Sequence, residues 1–369
     1  MTQRYSVRLF AHSLVSDWNH GNAHFLRGLV KELVRRGHNV RCYEELGSWS
    51  LTNLVKNEGE RAIEAIDQFR LVYPMIDVQF YRRDEGFSEF LDRELQDADV
   101  VIIHEWNDPA MVNEVLAKKA GMGFKALFHD THHRASSALN EILKFHLHLF
   151  DGVLAFGEAV RKIYQDGLGI ERVWTFHEAA DADHFKPMRM EQDIDVCWVG
   201  NWGDDERTSE LEEFLIRPTE ELQLRTVVHG VRYPQAALER LARAGVEFCG
   251  YLPNLRAPEM YSRSAISLHV PRRQYADRLA GVPTIRVFEA LACGAPLLCA
   301  PWEDSEGLFR KEDYVIAANG EAMKAEINHY LQDESARRQL GANGRETVLA
   351  RHTCGHRADQ LVEIMGELS

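Results

Sequence analysis

None of the six cysteines, Cys42, Cys197, Cys249, Cys293, Cys299 and Cys354, stands in a CxxC pair, so their spacing offers neither a zinc site nor a dithiol redox motif. They lie far apart and mostly in apolar runs, as reduced, packed thiols do in a cytoplasmic protein. No window approaches the roughly 20 apolar residues of a membrane span, and MTQRYSVRLFAHS passes into an alternating strand pattern without the apolar core of an export signal. The expectation is a cytoplasmic protein with no transmembrane segment. Positive charge is short as well: 43 Lys and Arg stand against 57 Asp and Glu, for a net charge of -14. Such a surface repels a phosphate backbone, so nucleic acid is not expected as a partner and an anionic ligand needs a local basic pocket. Low-complexity tracts and short repeats are missing, which removes solenoid architectures. No GxGxxG follows the first strand pattern, which speaks against a nicotinamide-dependent dehydrogenase.

What is present is a chain of 369 residues, 45% hydrophobic and 27% charged, long enough for two cores of roughly 150 to 200 residues each. Short β-rich runs alternate with amphipathic helical stretches, the pattern of parallel sheets covered by crossover helices. Seven strands are expected in the first half, from residues 6–11 to 172–176, and six in the second, from 194–199 to 314–317. The polar stretch 177–193 holds Pro187 and has no clear period. The division read from this is a Rossmann-like domain over residues 1–176, a linker over 177–193, a second Rossmann-like domain over 194–350, and a C-terminal helix over 351–369 that packs back on the first domain. Two doubly wound parallel sheets of this kind would face a central cleft at the carboxyl ends of their strands.

Residues 281–300, GVPTIRVFEALACGAPLLCA, carry the most information. A helix from about Thr284 to Cys293 stops at Gly294 and runs through Pro296 into an apolar strand. Taken alone this is an amphipathic helix with a surface glutamate. The EAxACGxP arrangement around Glu289, however, resembles the donor-binding helix of bacterial-type GT-B glycosyltransferases of family 4. That resemblance implies that Glu289 accepts hydrogen bonds from the ribose of a nucleotide sugar while Thr284, Ile285 and Arg286, at the helix start, face its diphosphate. The chemistry agrees, because a helix N-terminus attracts anions and a carboxylate suits paired hydroxyl donors. The commoner family pattern has a second glutamate eight residues earlier, where this chain has Gly281; with Arg286, the segment is similar to the CgeB-like branch.

Other stretches are similar to the same family. HEAADADHFKP (177–187) resembles its interdomain segment, and DIDVCWVGNWGDDER (193–207) the first strand and phosphate loop of its donor domain. There Gly200, Asn201 and Gly203 would bring backbone close to phosphate, and Arg207 would supply positive charge to the leaving diphosphate. In GYLPNLRAPEMYSRSAISLHV (250–270), Tyr251 and Leu252 would flank the nucleotide base, or the segment simply turns from strand to helix. In the first half, Asn19, His20 and Gly21 crowd the turn into the first long helix, either as a site loop or as an N-cap made by Asn19 or Asn22. HEWNDP (104–109) and HDTHHR (129–134) each follow an apolar strand. The resemblance places His129 beside the donor sugar, with His104, Asp130 and Arg134 toward the acceptor, although some of the 17 histidines must only cap turns. His104, His129, His132 and His133 also invite a metal, but their spacing is not a zinc motif and no metal or other cofactor is expected. The Asp-x-Asp pairs at 97/99, 181/183 and 193/195 are read as chance in an acidic chain.

The implied reaction is transfer of a sugar from a nucleoside diphosphate sugar, uridine favoured over guanosine, to an unknown acceptor, with retained configuration and without metal. His129, Arg207 and Glu289 are its expected catalytic residues. A nucleotide-sugar epimerase of the same fold and a non-catalytic sugar-nucleotide-binding protein stay open beside it.

Overall fold

Apolar runs such as VVIIH at Val100–His104 and SAISLH at Ser264–His269 leave neither face to water, and both are buried along their whole length, as the central strands of helix-covered parallel sheets must be. A computed structural model of the chain describes residues 3–368. It divides into two units: residues up to Glu178 together with those from Cys354 onward, and Ala179–Thr353.

The first unit holds a seven-stranded sheet built from β1 (Ser6–Phe10), β2 (Asn39–Glu45), β3 (Asp77–Tyr81), β4 (Val100–His104), β5 (Lys125–Asp130), β6 (Gly152–Ala155) and β7 (Val173–Thr175), in the order β3-β2-β1-β4-β5-β6-β7. Neighbouring strands run parallel. The helix Ala23–Arg35 buries Phe25, Leu26, Leu29, Val30 and Leu33, the stripe that its 3.6-residue period places on one face. Asp108 caps the helix Pro109–Met122 by accepting from the Ala110 amide at 2.8 Å, with proline in the first turn, where its missing N–H costs nothing. The C-terminal helix Cys354–Leu368 closes this unit. Arg36 reaches it through Asp359 at 2.7 Å and the Gly355 carbonyl at 2.9 Å, and Arg357 returns to the His177 carbonyl at 2.9 Å.

The second unit repeats the plan with β8 (Ile194–Val199), β9 (Thr226–His229), β10 (Glu247–Phe248), β11 (Ser264–His269), β12 (Leu297–Cys299) and β13 (Val315–Ile316), ordered β10-β9-β8-β11-β12-β13 and again parallel. Each sheet therefore has the doubly wound order that reverses beside its first strand, at β1/β4 and at β8/β11. All thirteen expected strands are present, their ends within two residues of the sequence reading. The stretch after Glu178 lies along the second unit: the Ala180 amide donates to the His352 carbonyl at 3.0 Å and His184 Nε2 meets the Leu255 carbonyl at 2.8 Å. The helix Ile285–Ala292 is backed by the helix Glu334–Arg351, where a Cβ on Gly341 would lie 2.2 Å from the Gly294 carbonyl oxygen and one on Gly344 2.5 Å from Leu291 Cδ2. Only glycine lets these backbones come so close. Four of the six Asp-x-Asp carboxylates hold structure together: Asp97 pairs with Arg8 at 2.5 Å, Asp99 accepts from the Ser6 amide, Asp193 pairs with Arg263 at 2.6 Å, and Asp195 accepts from the Arg225 amide; Asp181 accepts from the Asp183 amide in a local turn. All six cysteines are free. Among the described residues no helix is long and apolar enough to cross a membrane.

Candidate functional site

In the second unit the carboxyl ends of β8 and β11 lie side by side at the point where the strand order reverses, the place where a doubly wound sheet leaves room for a ligand. Gly200 follows β8 at once. Its amide donates to the His229 carbonyl at 2.9 Å and its carbonyl accepts from the Tyr233 hydroxyl at 2.9 Å, while Asn201 Oδ1 accepts from the Val231 amide. At Gly203 φ is +81°, and a Cβ there would lie 2.6 Å from Arg207 Nε, so the chain bends over the guanidinium in a conformation that side chains resist. Arg207 is half-buried and donates from Nη1 to the Val270 carbonyl at 2.8 Å, with its guanidinium carbon 5.4 Å from the Trp198 ring centre. Its buried Nε has no hydrogen-bond partner among the described residues. Burial, and after it the charge of Arg272, lower its pKa to about 10. It stays cationic at neutral pH, with little hydration to lose when an anion arrives.

β11 ends on His269, a residue the sequence reading missed. Its Nε2 stands 3.3 Å from Thr284 Oγ1, and its buried Nδ1 has no partner among the described residues. Burial, reinforced by the charge of Arg207, pushes its pKa down to about 3, which leaves a neutral ring. Thr284 is the N-cap of the helix Ile285–Ala292, but its side chain makes no capping hydrogen bond; the Val287 amide is spent on the Thr284 carbonyl at 3.0 Å, and those of Ile285 and Arg286, ahead of it, can meet an anion. One signal could have located His269: like His104 and His129, it closes an apolar strand.

One turn further on, Glu289 is fully buried, which rules out the reading of a surface glutamate. Its Oε2 accepts from the Tyr261 hydroxyl at 3.3 Å and from Arg286. Gly281 has φ +85°, and a Cβ there would lie 2.7 Å from both Glu306 Cγ and Ser305 Oγ. A glutamate at this position would have to adopt a left-handed backbone and displace both side chains. Tyr251 and Leu252 are half-buried on the loop after the edge strand β10. That loop is tied to the others through Gly230, whose amide donates to the Gly250 carbonyl at 2.8 Å.

In the first unit the residues after β1, β4 and β5 converge at its own point of reversal. His20, His104 and His129 follow one another edge to face, with ring centres 5.7 and 5.5 Å apart, and His104 Nε2 lies 3.0 Å from Thr131 Oγ1. Asn22, at the start of the helix Ala23–Arg35, makes no capping hydrogen bond and donates to Thr131 Oγ1 at 2.6 Å. Gly21 lies in that same turn, and Asn19 beside it has φ +51°. Arg134 clasps Glu105, with Nε at 2.9 Å and Nη2 at 2.7 Å from Oε2. Asp130 accepts from the Tyr164 hydroxyl at 2.5 Å and from the His132 amide at 3.0 Å. Glu105, Thr131 and Tyr164 were not legible as site residues, since each gains its place only through contacts across the sheet. Among the described residues no group of three or more His, Cys, Asp or Glu side chains could hold a metal ion.

Burial dominates the titration of both ends. It lowers His12 to about 4 and His129 to about 3, and it pushes His20 and His104 well below the ordinary range with help from neighbouring imidazoles. Near pH 5 to 6 these rings, and His269, are neutral in the folded chain and take up a proton on unfolding. Below the ordinary value of 6.5 the unfolded chain holds more protons than the folded one, so stability falls with the pH, by up to about 1.4 kcal/mol per pH unit for each ring. Glu44, Glu105 and Asp130 work in the other direction, because burial raises their pKa values and the folded chain holds the extra protons. Burial lowers His38 and His229 as well, so among the described residues seven lowered rings stand against three raised carboxyls, and the melting temperature is expected to drop between pH 6.5 and 5. His129→Gln and His269→Gln should each flatten that slope. Parallel pH profiles for wild type and variants would refute the neutral-imidazole account.

Residues 207–363 match a family model described as glycosyl transferase-like, a span that opens on Arg207 and contains Glu289. No curated protein shows a significant match. Among solved structures the chain is similar to HepE from Anabaena in complex with UDP and glucose, with a TM-score of 0.70 at 13% identity over 98% of this chain and 100% of that one. It is similar to sucrose-phosphate synthase from Thermosynechococcus elongatus, with a TM-score of 0.66 at 14% identity over 99% of each chain. It is also similar to an alpha-glucosyltransferase in complex with UDP and a 13-mer DNA, with a TM-score of 0.68 at 10% identity over 98% of this chain and 99% of that one. The fold is that of the GT-B glycosyltransferases, two parallel-sheet α/β domains of seven and six strands. The family match is confined to residues 207–363, most of the second unit and the start of the C-terminal helix.

Proposed function

We propose that the chain transfers a glycosyl unit from a nucleoside diphosphate sugar, bound by the second unit, to an acceptor bound by the first. The observation that carries this reading is the meeting of Arg207, His269 and the uncapped start of the helix Ile285–Ala292 at the carboxyl ends of β8 and β11. A poorly hydrated cation and a set of open amides are what a diphosphate requires, in the ground state and still more as its charge grows on leaving. Gly200, Asn201 and Gly203 would add close backbone, and Tyr251 and Leu252 would flank the base. Glu289 would accept the ribose hydroxyls in the place Arg286 now takes. His129 would lie by the transferred sugar, with Asn19, His20, Gly21, His104, Asp130 and Arg134 toward the acceptor. Uridine is the preferred base, in keeping with the UDP held by the HepE structure.

We further infer a retaining, metal-independent reaction of the CgeB-like type, in which Arg207 and the helix start supply the positive charge and the leaving phosphate helps deprotonate the acceptor. A thermal-shift series with UDP-, GDP- and ADP-sugars tests the donor, since a ligand of the folded state alone raises the melting temperature. UDP-glucose is expected to give the largest rise, and no rise with any of the three would refute donor binding. Product analysis separates the rivals. Sugar isomerised without acceptor marks an epimerase, and binding without UDP release from any acceptor mixture marks a non-catalytic binder.

A further inference from the structure

The carboxyl ends of β2 and β4 carry aromatic surface that the packing of the sheet does not use. Trp49 is 48% and Trp106 38% exposed. Trp49 is held by Trp18 edge to face at 5.1 Å and lies 6.3 Å from the ring of His12. Trp106 carries the Arg134 guanidinium 4.0 Å from its ring centre, with His132 edge to face at 5.0 Å. His12 lies between Trp49 and the row of imidazoles. Its ring stands 5.4 Å from His20, the next in the row of imidazoles that ends at His129. Nε2 of His20 and Nε2 of His129 are buried with no hydrogen-bond partner among the described residues. The two cations packed here already have carboxyl partners, Arg27 with Asp17 at 2.9 Å and Arg134 with Glu105 at 2.7 Å.

This combination selects among acceptors. A pyranose ring has an apolar face of C–H bonds that lies flat on an indole, and a rim of hydroxyls that both donate and accept. A neutral imidazole offers one donor and one acceptor nitrogen and so meets a hydroxyl in either sense. Nucleic acid or an anionic lipid surface would need unpaired lysine or arginine for its phosphates, and the cations here are taken. We propose that the acceptor is a neutral saccharide, stacked on Trp49 and Trp106, with hydroxyls hydrogen-bonded to Nε2 of His20 and of His129. The assignment rests on the glycosyltransferase reading above and names the substrate class for the first unit.

The test is a tryptophan-fluorescence titration of the full chain with maltotetraose, cellotetraose and chitotetraose, run beside a titration with UDP and one with a short duplex DNA. At least one tetrasaccharide is expected to bind. Trp49→Ala and Trp106→Ala should each weaken it by about tenfold, the loss that truncating an aromatic anchor brings, and Trp→Phe at either position should recover most of it. UDP affinity and melting temperature should hold in all four variants, since both side chains are exposed and belong to the first unit. Absence of binding by every tetrasaccharide, affinity indifferent to both alanine variants, or duplex DNA bound in place of the sugars would overturn the proposal. UDP is titrated separately, so a failure there strikes the donor assignment and leaves the saccharide result readable.

Discussion

Replacing Arg207 by alanine is expected to lower the turnover of a UDP-sugar by about 10²–10³, the usual loss when one preorganised donor to a developing oxyanion is removed. The fold should survive, because the side chain is half-buried, spends one hydrogen bond on the Val270 carbonyl and stacks loosely on Trp198. On the proposed assignment the loss should fall mainly on kcat, since the charge of a diphosphate grows toward the transition state, where the guanidinium would meet it. Arg207→Lys should recover only part of the rate, for an ammonium is a single point of charge and cannot reproduce a planar fork. Steady-state kinetics of UDP release is the measurement. A variant within a factor of about three of wild type would remove Arg207 from the diphosphate site.

The second large effect is expected at Glu289, where burial changes which substitution is informative. Alanine would leave the Tyr261 hydroxyl without its acceptor and Arg286 without its counter-charge, at a cost of about 1–3 kcal/mol for the stranded buried donor. Arg286, at 25% side-chain exposure, can turn to water and keep the cost toward the lower end. Glu289→Gln keeps the shape and an acceptor for Tyr261 while removing the charge, so it reads binding rather than folding. UDP affinity in this variant is expected to fall about 10- to 100-fold, as a hydrogen bond to a charged acceptor contributes about 1.5–3 kcal/mol. Calorimetric titration measures it. Equal affinities in wild type and Glu289→Gln would make the carboxylate a purely structural group on the helix Ile285–Ala292.

The two expectations differ in how much of each was legible in the chain. Glu289 stands in a contiguous motif, and a motif of adjacent residues survives any error in tertiary reasoning. His269 is separated from Arg207 by a stretch that holds β9, β10 and the helices between them, and nothing local says that the end of β11 comes to lie beside the loop after β8. Asn22 looked like a helix cap, yet its amide is drawn to Thr131 because β5 ends next to the start of that helix. Trp49 was not singled out in the sequence, and Trp106 stood there only as part of HEWNDP; exposure beside the row of imidazoles sets both apart.

The sequence by itself determined the element types, the parallel sheets and the doubly wound class, because alternation of apolar runs with helical stripes is a local property that few folds can satisfy. It also determined that an anion would have to be met by a few placed groups, given a net charge of -14. Only the tertiary structure decided which groups those are and in what state. Strand order brings together ends that are distant in the chain, and the resulting burial strips water from His12, His20, His104, His129 and His269, turning them from candidate cations into neutral rings. Desolvation depends on everything packed around a group, so it is absent from any reading of neighbours in sequence.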